Sequence, residues 1–169
     1  LRSYDPNLRP PLWPSLDVAK ENILALMSHC DILKISDNEI QWLSGKEDYD
    51  EGIAWLRERY DIPLIFLTLG KDGSRAYCGD VRTQQPGFKM NTIETTGAGD
   101  TFCACVINFV LDHGLENLTE QDLQAMLRYA NAAASLITTR KGALRVMPSK
   151  AEIAEVLKGA DMVFVTAGM

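Results

Sequence analysis

Two spacings of apolar residues alternate along this chain, one typical of strands and the other typical of helices. Nearly continuous apolar runs at residues 32–35 and 63–69 predict short strands that are buried on both faces. Residues 74–78 and 81–85 are separated only by a Gly-Asp pair and predict a hairpin. Residues 3–5 indicate the end of another strand, and the proline-rich loop that follows cannot be helical throughout.

The rest of the chain has the spacing of amphipathic helices. Helices are predicted over residues 15–29, after Ser36, over 49–60, from near Gly97 to before His113, from Thr119 to Ile137, and from Ser149 onward. Strands that alternate with helices indicate an α/β fold with a mostly parallel sheet. Ligands of such sheets bind outside the carboxyl ends of the strands, which directs attention to the loops after Asp5, Ile35 and Leu69.

Composition excludes several broad classes of protein. The 169 residues are 46% hydrophobic and 24% charged, as in one folded domain and unlike a disordered chain. Seventeen Lys and Arg residues against 23 Asp and Glu residues give a net charge of −6, so nucleic-acid binding by charge alone is not expected. The apolar runs are all shorter than the roughly 18 residues of a membrane span, so no membrane partner is expected.

The cysteines favour a reducing compartment and therefore a cytoplasmic location. They are Cys30, Cys78, Cys103 and Cys105, and none belongs to a C-x-x-C pair. Cys103 and Cys105 stand two apart in an expected helix, where neighbouring side chains point to different faces and bridge poorly. We interpret all four as buried free thiols.

The strongest candidate for chemistry is the turn E-T-T-G-A-G-D-T-F at residues 94–102. Small residues let the backbone approach a ligand, and a helix N-terminus presents unpaired N–H groups and a positive dipole. Gly97, Ala98 and Gly99 therefore predict an anion site suited to phosphate. Asp100 follows directly, and a carboxylate there is suited to accept the proton of an attacking hydroxyl beside a transferring phosphoryl group.

The same turn also has a purely structural interpretation, because an acidic residue is favourable in the first turn of any helix. The sequence contains no G-x-x-x-x-G-K-[ST] phosphate loop. It also lacks the dinucleotide-binding G-x-G-x-x-G, since Phe102 or Cys103 stands where the third glycine is needed. The turn alone leaves both interpretations open.

Four segments in order carry a resemblance to a known family. They are D-P-N-L-R-P-P-L-W at residues 5–13, T-L-G-K-D-G at 68–73, T-T-G-A-G-D-T-F at 95–102 and T-T-R-K-G-A at 138–143. Together they resemble the motifs of the ribokinase-like (PfkB) family of carbohydrate kinases, and the first segment favours its fructokinase branch. The resemblance covers essentially the whole chain and implies a three-layer α/β fold with a mostly parallel sheet, truncated on its N-terminal side.

The resemblance implies a role for each matched residue. It makes Asp100 the base, with the backbone N–H groups of Gly97, Ala98 and Gly99 stabilising the transferring phosphoryl group. Nucleotide contacts fall on Thr68, Gly70, Gly73, Asn131, Lys141 and Gly142. Asn7 and Arg9 are expected to contact a phosphate or the sugar. Glu39 is expected to order Mg²⁺ through water, and Glu94 lies in the region of a monovalent-cation site.

Structural alternatives accompany several of these roles. Asn7 and Arg9 are also typical of loop residues that make turn hydrogen bonds. Thr68 and Gly70 also suit a strand end, and Lys141 with Gly142 also suits a helix stop. For Asn131, which has weak helix propensity, contact with the nucleotide and exposure to solvent both remain open.

The chain departs from the family pattern at two places. Glu94 stands where the family often has Asp, and the longer acid is expected to disturb the monovalent-cation site without affecting Asp100. The N-x-x-E motif of the family falls on residues 36–39, where Ser36 replaces Asn and Glu39 is retained. Ser36 and Glu39 also form the pattern of a capping box that opens a helix. The metal role and the capping role of Glu39 are compatible.

The implied reaction is transfer of the γ-phosphoryl group of ATP to a primary hydroxyl of a sugar, with fructose as the first candidate and fructose 6-phosphate as product. The implied cofactors are ATP, Mg²⁺ and a monovalent cation such as K⁺. The alternatives are a nucleoside or other small-alcohol kinase of the same fold, a non-catalytic nucleotide-binding scaffold, and a generic α/β nucleotide-binding domain.

The chain matches only the C-terminal, nucleotide-binding part of the family. It begins at Leu1 without an initiator Met, and residues 1–169 contain no counterpart of the N-terminal sugar-binding half or its lid. We therefore expect no sugar kinase activity from these residues alone. A sheet that lacks its first strands would leave an apolar edge, which predicts association through that edge or a homo-oligomer.

Overall fold

The structure is a computed structural model that describes residues 1–167, with side chains described as far as residue 160. Its strands are β1 (Ser3–Tyr4), β2 (Ile32–Ser36), β3 (Leu64–Thr68), β4 (Ser74–Cys78) and β5 (Val81–Gln85). Its helices are α1 (Leu16–Met27), α2 (Asp37–Ser44), α3 (Tyr49–Arg57), α4 (Ala98–His113), α5 (Glu120–Ile137) and α6 (Lys150–Ala167). Short 3₁₀ turns occupy residues 10–12, 70–72 and 144–146.

The chain divides into two compact units. The first contains residues 1–70 and 75–83, and the second contains residues 71–74 and the chain from residue 84 onward. The strands form one sheet in the order β1-β2-β3-β4-β5, with β1 parallel to β2 and β2 parallel to β3. The α/β fold with a mixed, mostly parallel sheet is therefore confirmed. The two-residue strand β1 lies at one edge of this sheet, and association through that edge stays a prediction.

The register of the parallel strands brings their carboxyl ends to one edge of the first unit. Tyr4 lies opposite Leu33, and Ser36 lies opposite Thr68. The segments that follow these strands therefore leave the sheet side by side, as expected for a ligand-binding edge. A core of apolar side chains from α1, α2, α3, β2 and β3 packs beneath it, with Ile23, Leu33, Ile40, Leu56 and Ile65 among its buried members.

The second unit is built from helices. In it α4 packs against α5, and α5 packs against α6. A small cluster of Ala132, Ala133 and Ile153 is buried between α5 and α6. Because these alanine side chains on α5 are small, the backbones of α5 and α6 can approach each other closely.

Local signals in the sequence set most of the helix starts. Capping boxes form at two of these starts: Ser36 with Glu39 at α2, as predicted, and Thr119 with Asp122 at α5, where the helix was predicted to begin. The hairpin β4–β5 has the predicted bounds. The prediction of a helix over 49–60 is too long, because α3 ends at Arg57, although the side chain of Tyr60 still packs on the core of the first unit.

Within the described residues none of the four cysteines forms a disulfide, but only Cys30 is buried, so the expectation of four buried thiols is wrong for Cys78, Cys103 and Cys105. These three are half-buried on their strand or helix. Burial raises the pKa of Cys30 and of Cys105 to about 11, which keeps both as thiols at neutral pH. The cytoplasmic location stays a prediction. Among the helices that the structure describes, none is both long enough and apolar enough to cross a bilayer.

Candidate functional site

The glycine-rich turn lies at the N-terminus of α4, as predicted. Gly97 is the N-cap residue, has a φ of 80° and offers no side chain to cap the helix. A Cβ at Gly97 would lie 3.3 Å from Ile137 Cδ1 and 3.5 Å from Ala143 Cβ. The positive φ and this close packing both favour glycine, so the turn exposes backbone at a helix start. Such a cradle of backbone N–H groups fits a phosphate oxygen.

The first turn of α4 contains the candidate base and follows the candidate phosphate-binding glycine. Asp100 is exposed in this turn. The N–H of Thr101 donates to the carbonyl oxygen of Gly97 at 2.8 Å, which closes the turn. The N–H of Ala98 donates to the carbonyl oxygen of Thr95 at 3.2 Å, so that N–H is already engaged within the turn. The phosphate-facing roles of Gly97, Ala98 and Gly99 stay predictions.

Glu94 joins the glycine-rich turn to the T-T-R-K-G-A segment. One carboxylate oxygen accepts from Thr96 Oγ1 at 2.6 Å, and the other accepts from the backbone N–H of Gly142 at 3.2 Å. These hydrogen bonds, with a smaller contribution from the exposed Lys141 ammonium, hold the pKa of the Glu94 carboxyl below its usual range. The backbone N–H of Glu94 also donates to the carbonyl oxygen of Thr138 at 3.1 Å. Two segments more than 40 residues apart are thereby brought together.

These contacts bear on the proposed monovalent-cation site. The Glu94 carboxylate, which the resemblance assigns to that region, is used as a hydrogen-bond acceptor by Thr96 and Gly142. The cation role of Glu94 stays a prediction. In the part of the chain that the structure describes, no group of three or more His, Cys, Asp or Glu side chains is placed to hold a metal ion.

Asn131 is a buried structural residue in the second unit. It is 4% exposed, so the interpretation that it faces solvent is wrong. Its side-chain oxygen accepts from Ser74 Oγ at 2.8 Å, and its amide nitrogen donates to the carbonyl oxygens of Gln85 and Pro86 at 3.0 and 3.1 Å. Direct contact between Asn131 and a nucleotide stays a prediction.

Gly73 lies beside this hydrogen-bonded group. It is buried with a φ of 103°, and a Cβ there would overlap the backbone around Gln85 to Gly87. Only glycine fits this backbone conformation without a shift in the neighbouring segment. Gly73 is therefore required by the fold, whether or not it also contacts a nucleotide.

Thr68 and Gly70 lie at the end of β3 in the first unit. Thr68 is half-buried, and its hydroxyl lies 3.5 Å from the carbonyl oxygen of Ile35. Gly70 is exposed with a φ of 56°, and nothing lies within 4 Å of the place where its Cβ would be. Glycine is therefore favoured at this position by the positive φ, and not by close neighbouring atoms. Both residues have the position that the strand-end interpretation predicts.

A cavity of about 370 Å³ lies at the carboxyl ends of β1 and β2 in the first unit. It brings together three of the predicted site residues, Asn7, Arg9 and Glu39. The Arg9 guanidinium is exposed and donates to the carbonyl oxygen of Leu8 at 3.1 Å. Turn hydrogen bonding by Arg9 is thus observed, and its contact with a phosphate or sugar stays a prediction.

Glu39 lines this cavity and is 8% exposed. One of its carboxylate oxygens accepts from the Ser36 N–H and hydroxyl at 2.9 and 2.8 Å. The other accepts from the backbone N–H of Leu8 at 2.7 Å. The capping role of Glu39 is confirmed, while its part in ordering Mg²⁺ stays a prediction.

Lys34, which was not among the predicted site residues, also lines the cavity. Its ammonium lies 3.3 Å from both carboxylate oxygens of Asp5, and Lys34 is only 6% exposed. A lysine inside an otherwise apolar strand is the signal that was available, because buried lysines are almost always paired.

Comparison with known proteins bears on the same motifs. Residues 2–150 match the pfkB family of carbohydrate kinases. The chain is 37% identical over 158 residues to the Arabidopsis thaliana protein named "Probable fructokinase-2", across 94% of this chain and 48% of that protein.

Two solved structures show the same likeness. A fructokinase double mutant from Vibrio cholerae O395, in its fructose, ADP and potassium ion bound form, has a TM-score of 0.83 and 28% identity, over 92% of this chain and 49% of that one. Aminoimidazole riboside kinase from Salmonella enterica, complexed with aminoimidazole riboside and an ATP analog, has a TM-score of 0.77 and 25% identity, over 92% and 51% of the two chains.

The chain spans about half the length of these relatives. The match nevertheless runs through nearly all of its residues and includes the turn at the start of α4, the strand-end loops and the T-T-R-K-G-A segment. The chain therefore belongs to the pfkB family of carbohydrate kinases.

Proposed function

We propose that the complete protein containing this chain transfers the γ-phosphoryl group of ATP to the primary hydroxyl of fructose, giving fructose 6-phosphate and ADP. The observation that carries the proposal is the start of α4, where Asp100 follows the glycine cradle directly and is exposed. The similarity to fructokinases supports fructose as the acceptor.

In this proposal one residue of the chain acts as the base, and others bind the transferring phosphoryl group. The carboxylate of Asp100 accepts the proton of the attacking hydroxyl. The backbone at Gly97 and Gly99 supplies N–H groups and the positive end of the α4 dipole to the transferring phosphoryl group. Since no covalent intermediate with the protein is needed, positioning and charge stabilisation provide most of the rate.

Further contacts with the nucleotide are proposed for residues of each unit. In the second unit Lys141 and Gly142 lie beside Glu94, next to the turn that holds Asp100. Arg9 supplies a charged, planar donor group to a phosphate. Mg²⁺ would neutralise phosphate charge when bound. K⁺ would lie near Glu94, in keeping with the potassium-bound fructokinase neighbour.

The test is Asp100→Asn in the complete protein, with Asp112→Asn as the matched control. Asp112 is an exposed carboxylate at the other end of the same helix, so its loss changes charge without touching the glycine-rich turn. We expect Asp100→Asn to lower kcat by about 10²–10⁴-fold with ATP binding retained, and Asp112→Asn to leave kcat unchanged. A kcat within about threefold of wild type in Asp100→Asn would remove that residue from the mechanism.

We further propose that the 169 residues alone have no sugar kinase activity. They span about half the length of the relatives, and the acceptor contacts and a closing lid would lie outside them. ADP release from fructose and ATP, measured with a coupled assay on the purified chain, tests this. Turnover comparable to that of the complete protein would refute it.

A nucleoside-like acceptor is the second candidate, because aminoimidazole riboside kinase has a similar structure. The same Asp100 chemistry would serve either acceptor. Rates with fructose, ribose and a riboside, measured on the complete protein under the same conditions, decide between them. A kcat/KM for the riboside above that for fructose would replace fructose as the acceptor.

A further inference from the structure

The loop that carries Arg9 is fixed by side chains from outside it. Residues 5–9, called here the 5–9 loop, include Asn7 with a φ of 44°, a left-handed conformation that few non-glycine residues adopt. Two successive backbone N–H groups of this loop point at carboxylates. The N–H of Asn7 donates to Asp5 at 3.1 Å, and the N–H of Leu8 donates to Glu39 at 2.7 Å.

Glu39 connects this loop to a helix 31 residues further along the chain. One of its oxygens serves the loop at Leu8, and the other serves the capping box at Ser36. Hydrogen bonds from N–H groups to an ionised carboxylate are the stronger kind, and the 8% exposure of Glu39 keeps water from replacing them. A carboxylate engaged on both oxygens is poorly placed to turn toward a metal ion.

Lys34 holds the other end of the same loop. Its ammonium, on the buried strand β2, pairs with both oxygens of Asp5. One of these oxygens also accepts from the N–H of Asn7. Burial raises the pKa of Asp5, and the Lys34 ammonium and the Asn7 N–H oppose that rise. Lys34 therefore holds the Asp5 carboxylate beneath the loop.

We propose that Glu39 and Lys34 are positioning residues for the 5–9 loop, and that they act on the phosphoryl-transfer reaction by holding Arg9 in place. In this role Glu39 acts through the N–H of Leu8 and not by ordering a metal ion. The kinetic part of the proposal rests on the proposed function, whereas the holding of the loop does not.

The first experiment measures hydrogen exchange of backbone amides in the complete protein without nucleotide or Mg²⁺. We expect Glu39→Ala to accelerate exchange of the Leu8 amide by about tenfold or more, because a charge-assisted hydrogen bond is lost. Lys34→Met is expected to accelerate exchange at Asn7. The matched control is Asp122→Asn, which weakens a capping box of the same type at α5 but has no bond to the 5–9 loop. Unchanged exchange at Leu8 in Glu39→Ala would overturn the proposal.

Glu39→Gln covers the case in which Glu39→Ala fails to fold. Glutamine is an accepted capping-box residue, so α2 keeps its start, but its single side-chain oxygen cannot serve both Leu8 and Ser36. We expect intermediate exchange at one of these two amides and wild-type exchange at the other. Wild-type exchange at both would contradict the two-sided role of Glu39.

The second experiment separates positioning from metal ordering. In Glu39→Ala we expect the KM for ATP to rise about tenfold, with the Mg²⁺ concentration for half-maximal rate unchanged, because a displaced Arg9 binds phosphate less well. A large rise in that Mg²⁺ concentration, with normal exchange at Leu8, would assign Glu39 to the metal instead. If the wild-type protein transfers no phosphoryl group, the proposed function fails, and the exchange data still decide whether the loop is held.

Discussion

Asn131→Ala should destabilise the second unit strongly, because three hydrogen-bond partners depend on this one amide and the Ser74 hydroxyl among them is buried. The substitution leaves the Ser74 hydroxyl and the carbonyl oxygens of Gln85 and Pro86 without their partner. A buried polar group without a partner costs about 1–3 kcal/mol. Ser74 is 1% exposed and bears the full cost, whereas Gln85 and Pro86 lie nearer the surface, where water can replace the lost bonds. We expect a loss of about 2–4 kcal/mol in the free energy of unfolding.

Urea denaturation followed by circular dichroism measures this loss, with the slope of the transition checked for two-state behaviour. The control is Asn108→Ala, an exposed asparagine in α4 whose substitution should change stability by no more than about 0.5 kcal/mol. A double-mutant cycle with Ser74→Ala should give a coupling of about 0.5–3 kcal/mol, since the two side chains bond directly.

The result that refutes this account is a loss below about 1 kcal/mol in Asn131→Ala with an unchanged slope. Weaker ATP binding at wild-type stability would show instead that Asn131 acts by contact with the nucleotide. If both stability and ATP affinity fall, the structural role stands. ATP affinity then depends on the segment around Gly73 that Asn131 holds in place.

Three further features of the structure can be tested by substitution. Gly73→Ala should cost more than about 3 kcal/mol, because its Cβ would overlap a backbone carbonyl, while Gly70→Ala, with open space around it, should cost about 1 kcal/mol by the same urea assay. Thr101→Val should raise the Tm by about 2–4 °C, because the Thr101 hydroxyl is buried and has no hydrogen-bond partner within the described part of the chain; a lower Tm would reveal a partner. Hydrogen bonds from Ser149 lower the pKa of Glu152 from 4.5 to about 2, so its contribution to stability is present above pH 4.5 and is lost as the pH falls toward 2. Glu152→Gln should therefore lower the Tm at pH 6 but not near pH 2, and an equal difference at both values would contradict this.

Features set by a few neighbouring residues were predictable from the sequence. The Gly-Asp pair gave the bounds of the hairpin β4–β5, because a two-residue connection leaves little freedom in register. The Thr119 capping box gave the start of α5 in the same way. The glycine cradle at α4 was also predictable, since a helix N-terminus presents its N–H groups whatever else the fold contains.

Features that depend on distant partners were not predictable. Spacing could not distinguish a buried Asn131 from an exposed one, because its partners at Ser74 and Gln85 lie 57 and 46 residues away. Lys34 was missed for the same reason, since Asp5 pairs with it across two parallel strands. The end of α3 at Arg57 was missed because Tyr60 continues the apolar pattern without continuing the helix.

Glu39 and Asn131 illustrate why a motif residue need not act on its ligand directly. Each is a polar side chain on a helix, each is less than a tenth exposed, and each holds an irregular segment that is expected to face ligand, in its own unit. Such segments cannot pair their own backbone groups in a ladder, so a buried side chain from a regular element has to supply the partner. An unpaired buried polar group costs as much free energy as a lost ligand contact. Substitution of the side chain that supplies the partner is therefore as harmful as substitution of a residue that contacts ligand. Loss of activity on substitution therefore does not assign either residue to catalysis. Exchange and stability measurements without ligand distinguish the two roles, because only a residue that holds its loop alters them before ATP is present.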